Sequence, residues 1–470
     1  MTLVNTRNIL FTCLLAAAIS GCAVGPDYQR PDQAMPLDFN QQQTGKGLEA
    51  SYADLNWRSV YTDPVLQKLI EEALIASPDL LIAEARVREA EAVAGVVRSD
   101  LLPQLGLSWT TSPIARPDGK DLASSYTGGA AISWEIDLWG KLRRADEAAR
   151  AELLASEANR RALVSSLIST VADLYHQIIA RKRILDVSLG TAKNQRDALY
   201  LIRRLSESGI ASAAEERQQE VALAVTESTI PTLRQRIVAF ENGLSILLGR
   251  IPGKVGVDVD SKTSLPEFIP SGIPSRLLDR RPDLMAVEQQ LVASNARVGE
   301  AKARFFPSIS LTGLFGGLST SASDFLSGGT ATIASLGFNG LQPLFAGGFF
   351  IANYDAALAR LDQSIIVYRK AVLTALAEVS NSLVAYEEAG NLQKVQKVRA
   401  EAARESLRLS GLRYRAGVVS FIEVLDAQRQ LFSAETAVVE SSLDRHLALS
   451  SVYLALGGGW EEKEDGAKGN

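Results

Sequence analysis

Apolar residues recur at intervals of seven through the second half of this chain. Leu358, Ile365, Val372, Val379 and Tyr386 stand seven apart, and Leu361, Tyr368, Ala375 and Ser382 follow the first four by three. Val164, Val171, Ile178 and Leu185 carry the same spacing in the first half. This is the pattern of helices that wrap around one another. No proline follows Pro343, so one helix is predicted from about 346 to 414. At about 1.5 Å per residue it would be about 100 Å long. It must turn at Gly417, because a second helical run begins at once and ends at Gly457; Gly209 marks the equivalent turn of the first half. Glycine suits such turns because it takes φ > 0 at little cost. Pro231 is expected to kink the first returning helix.

A different period precedes each long helical run. LPQLGLSWT and YTGGAAISWEID, then FPSISLTGLFG and ATIASLGFNGLQP, alternate roughly at every second residue and have aromatic residues near their ends. Each reads as a strand of about ten residues, the length of a tilted membrane β-strand. Shorter helical stretches, about 64–99 and 275–304, come before the strand pairs.

The two halves are copies. Slid by 204 positions, Pro78, Asp79, Leu80, Glu84, Ala92, Gly95, Pro103 and Leu107 land on the same residue types at Pro282, Asp283, Leu284, Glu288, Ala296, Gly299, Pro307 and Leu311. Slid by 208, Gly209, Ser212, Glu215, Leu223, Glu227, Leu248 and Gly249 land on Gly417, Ser420, Glu423, Leu431, Glu435, Leu456 and Gly457. A period this long is one ancestral half, doubled and fused. The expected plan is a first repeat over 64–250 with strand pair about 103–137 and hairpin tip near 209. A linker over 251–274 follows, then a second repeat over 275–460 with strand pair about 307–343 and tip near 417. Four membrane strands leave two open edges, which lipid does not tolerate. The sheet is therefore expected to close by oligomerisation, and three chains would supply twelve strands.

Composition narrows the chemistry. Net charge is −5, which argues against nucleic-acid binding through bulk charge. The 470 residues hold two His and two Cys. His176 and His446 lie far apart in helical patterns and read as ordinary packing or surface residues. No Ser/His/Asp, metal-ligand or phosphate-loop constellation is present, so no catalytic residue, metal or cofactor is expected. No run of 18 apolar residues follows the N-terminal segment, which argues against a transmembrane helix. That segment has the basic start and short apolar run of a secretory signal. It ends at Ile19-Ser20-Gly21-Cys22, which resembles a bacterial lipobox. The resemblance implies cleavage of 1–21 and a Cys22 that carries S-diacylglycerol and N-palmitoyl groups, at the head of an extended arm over 22–63. Ala23, in place of Asp, points to the outer rather than the inner membrane. The tail after Trp460, residues 461–470, is charged and expected to be disordered.

GCAVGPDYQRP at 21–31, WRSVYTDPVLQKLIEEAL at 57–74, IPSRLLDRRPDL at 273–284, ARFFPSISLTG at 303–313, YRAGVVSFIEVLDAQRQL at 414–431 and LGGGW at 456–460 together resemble the TolC-like outer-membrane factors. Within them the chain is most similar to the NodT-type lipoproteins of tripartite RND efflux pumps. The resemblance implies a mainly α fold with membrane β: a homotrimer whose twelve-stranded barrel continues as a periplasmic α-barrel of coiled coils. It implies a passive duct in the outer membrane of a Gram-negative bacterium, partnered by a periplasmic adaptor (membrane fusion protein) and an inner-membrane RND transporter. Carried over, the tips Gly209, Ser212, Gly417 and Ser420 would receive the adaptor, with Ser212 and Ser420 capping the returning helices. Glu215 and Tyr414 fall at gate positions. Val419 stands where other members place Arg or Asp, so an apolar constriction at Val418 and Val419 is expected. A type I protein-secretion duct and a periplasmic adaptor lipoprotein are the alternatives.

Overall fold

A computed structural model describes residues 23–36, 39, 51–115, 122–260 and 265–460. Cys22, the signal segment and the 461–470 tail lie outside them. Ten α-helices are described: α1 Trp57–Val60, α2 Pro64–Ala76, α3 Pro78–Ser99, α4 Lys141–Glu207, α5 Ala213–Leu247, α6 Leu277–Arg280, α7 Pro282–Ala303, α8 Ala322–Ser327, α9 Phe349–Arg415 and α10 Phe421–Ala455. Four strands, β1 Gln104–Ala115, β2 Leu122–Ile136, β3 Ser308–Ser319 and β4 Ala331–Leu341, form one antiparallel sheet in the order β1-β2-β3-β4.

The duplication is visible in element lengths. α4 and α9 each have 67 residues, α5 and α10 each 35, and α3 and α7 each 22. α3 and β1 map onto α7 and β3 at a shift of 204, whereas α4 and α5 map onto α9 and α10 at 208. The four extra residues of the second repeat therefore fall between β3 and α9, the stretch that contains the short helix α8 and β4.

Two details depart from the sequence reading. The first helical stretch breaks at Ser77, with Pro78 opening a new helix. Proline disfavours helical backbone at the residue before it and has no N–H to donate. Arg281-Pro282 repeats the break. Pro231, by contrast, does not interrupt the returning helix: it lies inside α5, which runs through it as one element. Its missing N–H costs one bond of a 35-residue ladder. Tertiary packing of Leu223, Leu233 and Ile237 holds that ladder in place.

The chain divides into two compact units. Among the described residues, one comprises 23–33, 85–115, 122–157 and 286–370. Its helical core is built from small residues: Ala148 and Ala151 of α4 meet Ala293 and Ala296 of α7, and Val298 and Ala301 of α7 meet Ala357 of α9. Alanines let helix axes approach closely with little side-chain entropy lost. The other unit comprises described residues of 34–84, 158–285 and 371–460, and it buries larger side chains, among them Tyr175, Ile178, Leu244, Leu248 and Tyr453. Tyr368, at the end of the first unit, and Val372, Ala375, Val379 and Tyr386, in the second, are all buried members of the heptad pattern. In this second unit the linker is docked onto helices: Arg183 donates to the Val259 carbonyl at 2.9 Å, and Arg445 to that of Pro266 at 2.9 Å. α4 also contains a window apolar and long enough to cross a membrane by length and composition alone, but more than half of that window is packed inside the fold.

The amphipathic sheet and the hairpin tips

Directly paired residues of an antiparallel sheet share a face. Along this register, Leu105 pairs with Ile132, Ile132 with Gly313 and Gly313 with Leu336; Trp134 pairs with Leu311 and Leu311 with Phe338. The neighbouring rows are Gln104–Ser133–Thr312–Gly337 and Glu135–Ser310–Asn339. One face is thus apolar and aromatic, and the other carries hydroxyls and amides. Leu105, Leu107, Trp109, Phe315, Leu336 and Phe338 are all largely exposed on the apolar face. On the polar face, Asn339 donates to Thr312 at 2.9 Å, and Lys141 pairs with Glu135 at 2.5 Å. β1 and β4 are edge strands, each paired on one side among the described residues. A soluble hairpin would cover its apolar face; this sheet exposes it.

At the other end of the long helices, the two turns lie side by side in the second unit. Ile202 of α4 packs with Phe421 and Val424 of α10, and Ala211, Leu407 and Tyr414 close the cluster. Gly209 and Gly417 have φ of 72° and 73° with open space around them. Only their backbone conformation therefore demands glycine.

The turns differ in how their serines act. Ser212 is a reciprocal cap. Its Oγ accepts from Glu215 N at 3.3 Å, while the Glu215 carboxylate accepts from Ser212 N at 2.9 Å. Ser420 occupies the same position but makes no side-chain cap bond, a correction to the sequence reading. The acidic residue is also used differently. Arg413 stands where the first repeat has Leu205. It donates to Glu423 at 2.8 Å, so this carboxylate ties α9 to α10. Other pairs are repeated faithfully: Arg196–Glu227 and Arg404–Glu435 link the helices of the two hairpins at equivalent positions.

Of the gate positions read from the sequence, Tyr414 is half-buried against Phe421 at a ring distance of 5.3 Å. Burial, and then the charge of Glu215, push its hydroxyl pKa up. Glu215 is therefore near Tyr414, but its carboxylate is engaged in capping. Val418 is exposed and Val419 half-buried. Between α5 and α10 runs an open groove of about 760 Å³, walled by Val221, Val225, Ile422, Leu425 and Phe432.

Sequence reasoning missed the histidines as a pair. His176 of α4 and His446 of α10 stack with ring centroids 4.1 Å apart and planes inclined by 17°, His176 buried and His446 half-buried. Two residues so distant along the chain give no sequence signal of contact. Beside them is a cavity of about 30 Å³ lined in part by Asp63, Tyr175 and Arg183. It has room for water but not for a substrate. Tyr175 donates to Asp63 at 2.8 Å, and Asp63 also caps α2. Among the described residues no group of three or more His, Cys, Asp or Glu could hold a metal ion.

The sequence profile of the outer membrane efflux proteins matches this chain twice, over residues 69–250 and 273–458, once in each repeat. The chain belongs to the outer membrane efflux protein family. The toluene efflux pump outer membrane protein TtgC of Pseudomonas putida is 31% identical over 97% of this chain and 97% of its own. The cation efflux system protein CusC of Escherichia coli O6:H1 is 32% identical over 95% and 98%. The structure of the outer-membrane channel OprN superposes with a TM-score of 0.85 at 30% identity, covering 93% of this chain and all of that one. The outer membrane efflux proteins are outer-membrane channels of efflux pumps, and both the mainly helical, membrane-β fold and the outer-membrane address expected from the sequence hold for this member. The adaptor alternative falls with this assignment.

Proposed function

We propose that the chain is the exit duct of a tripartite RND-type efflux system, closed from three copies into a twelve-stranded barrel. It carries small toxic compounds passively from a periplasmic adaptor and inner-membrane transporter to the exterior. The observation that carries this reading is the sheet: one face suited to lipid, one to water, and two unpaired edges that a bilayer forbids. Joining β4 of one copy to β1 of the next removes every edge and turns the hydroxyl-lined face into a lumen. Relatives named for toluene and for cations are similarly distant, so the substrate class is not fixed by kinship. The native mass of the protein extracted from outer membranes in mild detergent is expected to be that of three chains. A monomer would overturn the shared barrel.

The hairpin tips are the docking end in this reading. The apolar groove between α5 and α10 supports it, as does the pair of left-handed glycine turns. Opening then widens the tips like an iris. Gly417→Leu puts a side chain on a backbone with φ of 73°. The local cost is about 1–2 kcal/mol, because a Cβ crowds the following carbonyl there. Trimers in the outer membrane should persist, while drug resistance and crosslinking to the adaptor fall. If resistance and crosslinking were both unchanged, the tips would not be the docking end. Cys22, with its diacylglycerol and palmitate, is proposed as the lipid anchor on the strength of Ile19-Ser20-Gly21-Cys22.

A further inference from the structure

The segment immediately after Cys22 is not loose. Val24 N donates to the Trp139 carbonyl at 3.0 Å. Gly25, at φ 115°, crosses α7 so closely that a Cβ on it would lie 2.4 Å from the Cα of Gly299. Asn295 donates to the Pro26 carbonyl at 2.9 Å. Asp27 meets the buried Arg144 at 2.7 Å. Tyr28 donates to Glu288 at 3.0 Å, and Arg30 grips both carboxylate oxygens of Glu288 at 2.7 and 2.8 Å. Gly299, Asn295 and Glu288 belong to α7, and their spacings of four and seven put them on one helix face. The strap therefore follows the helix residue by residue.

Its start is placed just as firmly. Ala23 lies against Gly140, where a Cβ would fall 2.7 Å from that of Ala23. Trp139 and Gly140 join the end of β2 to the start of α4, and Trp139 stacks on Phe306 at 4.9 Å and donates to the Pro307 carbonyl at 2.8 Å. Here the strand-to-helix junction of the first repeat meets the helix-to-strand junction of the second, at the inner rim of the membrane sheet.

We propose that residues 23–30 form a docked strap that registers the lipid-bearing N-terminus against the inner rim of the barrel sheet, with Glu288 as its clasp, so that acylation and barrel assembly act at one place. The proposal rests on the lipid reading of Cys22 and adds what holds the anchor in position. A loose tether would require no Gly25–Gly299 contact and no bidentate clasp 258 residues away in sequence.

Arg30→Ala removes the clasp from the exposed side and leaves α7 intact. In purified protein, hydrogen exchange over residues 23–36 should be slow in the wild type and at least tenfold faster in Arg30→Ala. Palmitate labelling should stay unchanged, and the yield of outer-membrane trimer should drop severalfold. The exchanged pair Arg30→Glu with Glu288→Arg should recover protection and yield. Fast exchange in the wild type would overturn the strap, as would unchanged exchange and yield in Arg30→Ala. Absence of palmitate from the wild type would overturn the lipid anchor, and slow exchange in that same sample would show the failure to be of the anchor rather than of the docking.

Discussion

Lowering the pH from 7 to about 4.5 should cut the melting temperature of the solubilised protein by several degrees, and His446→Leu should remove a large part of that drop. Burial holds the imidazole of His176 down to about 4, against a favourable backbone bond to Ala172 and the charge of Asp63, with Arg183 adding to the depression. Burial, then His176, Arg183 and Arg445, hold His446 down to about 3. Both are neutral when folded. Their stabilising contribution is complete above the unfolded value near 6.5 and is lost as pH falls toward the folded values. About two pH units separate that unfolded value from pH 4.5, so each histidine loses roughly 2.7 kcal/mol at about 1.4 kcal/mol per unit. Asp173 acts in the opposite sense. Burial raises it to about 6, with a bond from Ser450 working against the shift. Its folded form takes a proton first on acidification and returns roughly 2 kcal/mol over the same range. The net loss is about 3 kcal/mol. Asp173→Asn should therefore steepen the acid sensitivity while His446→Leu flattens it. Variants that melt in parallel with the wild type at both pH values would refute the buried neutral stack.

Gly129→Val should abolish the outer-membrane trimer. Gly129 and Gly316 pair directly across β2 and β3. A Cβ on Gly129 would lie 2.2 Å from the Phe315 carbonyl oxygen and 2.5 Å from the Gly316 Cα; one on Gly316 would lie 2.1 Å from the Gly128 oxygen. These obstacles are backbone, which cannot rotate aside, so the strands must part. β2–β3 is the seam that joins the hairpins of the two repeats, and parting it exposes new edges inside the bilayer. Gly106→Val is the control: it sits on β1 with nothing within 4 Å of its added Cβ and should insert normally. Trimer bands on unheated gels would decide the matter, with at least a tenfold loss expected for Gly129→Val alone. Normal insertion of that variant would refute the close seam.

Much of this molecule is legible in its sequence because it repeats itself and because long helices and membrane strands depend on local periodicity. Val372, Val379 and Tyr386 are buried where the sevenfold spacing puts them, and LPQLGLSWT and FPSISLTGLFG overlap β1 and β3. What the sequence hid depends on contacts between distant segments. His176 and His446 each look ordinary until two helices from different repeats bring them together. Ser212 and Ser420 look alike, yet only Ser212 caps its helix, while the second turn pairs Arg413 with Glu423. Pro231 reads as disruptive because a proline in an isolated helix is, whereas here the neighbouring helices hold α5 together through it. GCAVGPDYQRP shows no purpose of its own in the sequence; its partner is a helix of the second repeat.

The divergence of Glu215 and Glu423 has a consequence for symmetry. In a closed ring of three chains, six hairpins of equal length would alternate between two kinds. In one kind the acidic residue secures its own helix end; in the other it latches the two helices together. The ring would look sixfold in outline and be threefold in bonding. Any partner that touches all six ends would have to present two different contacts in alternation, or bind one kind and merely tolerate the other.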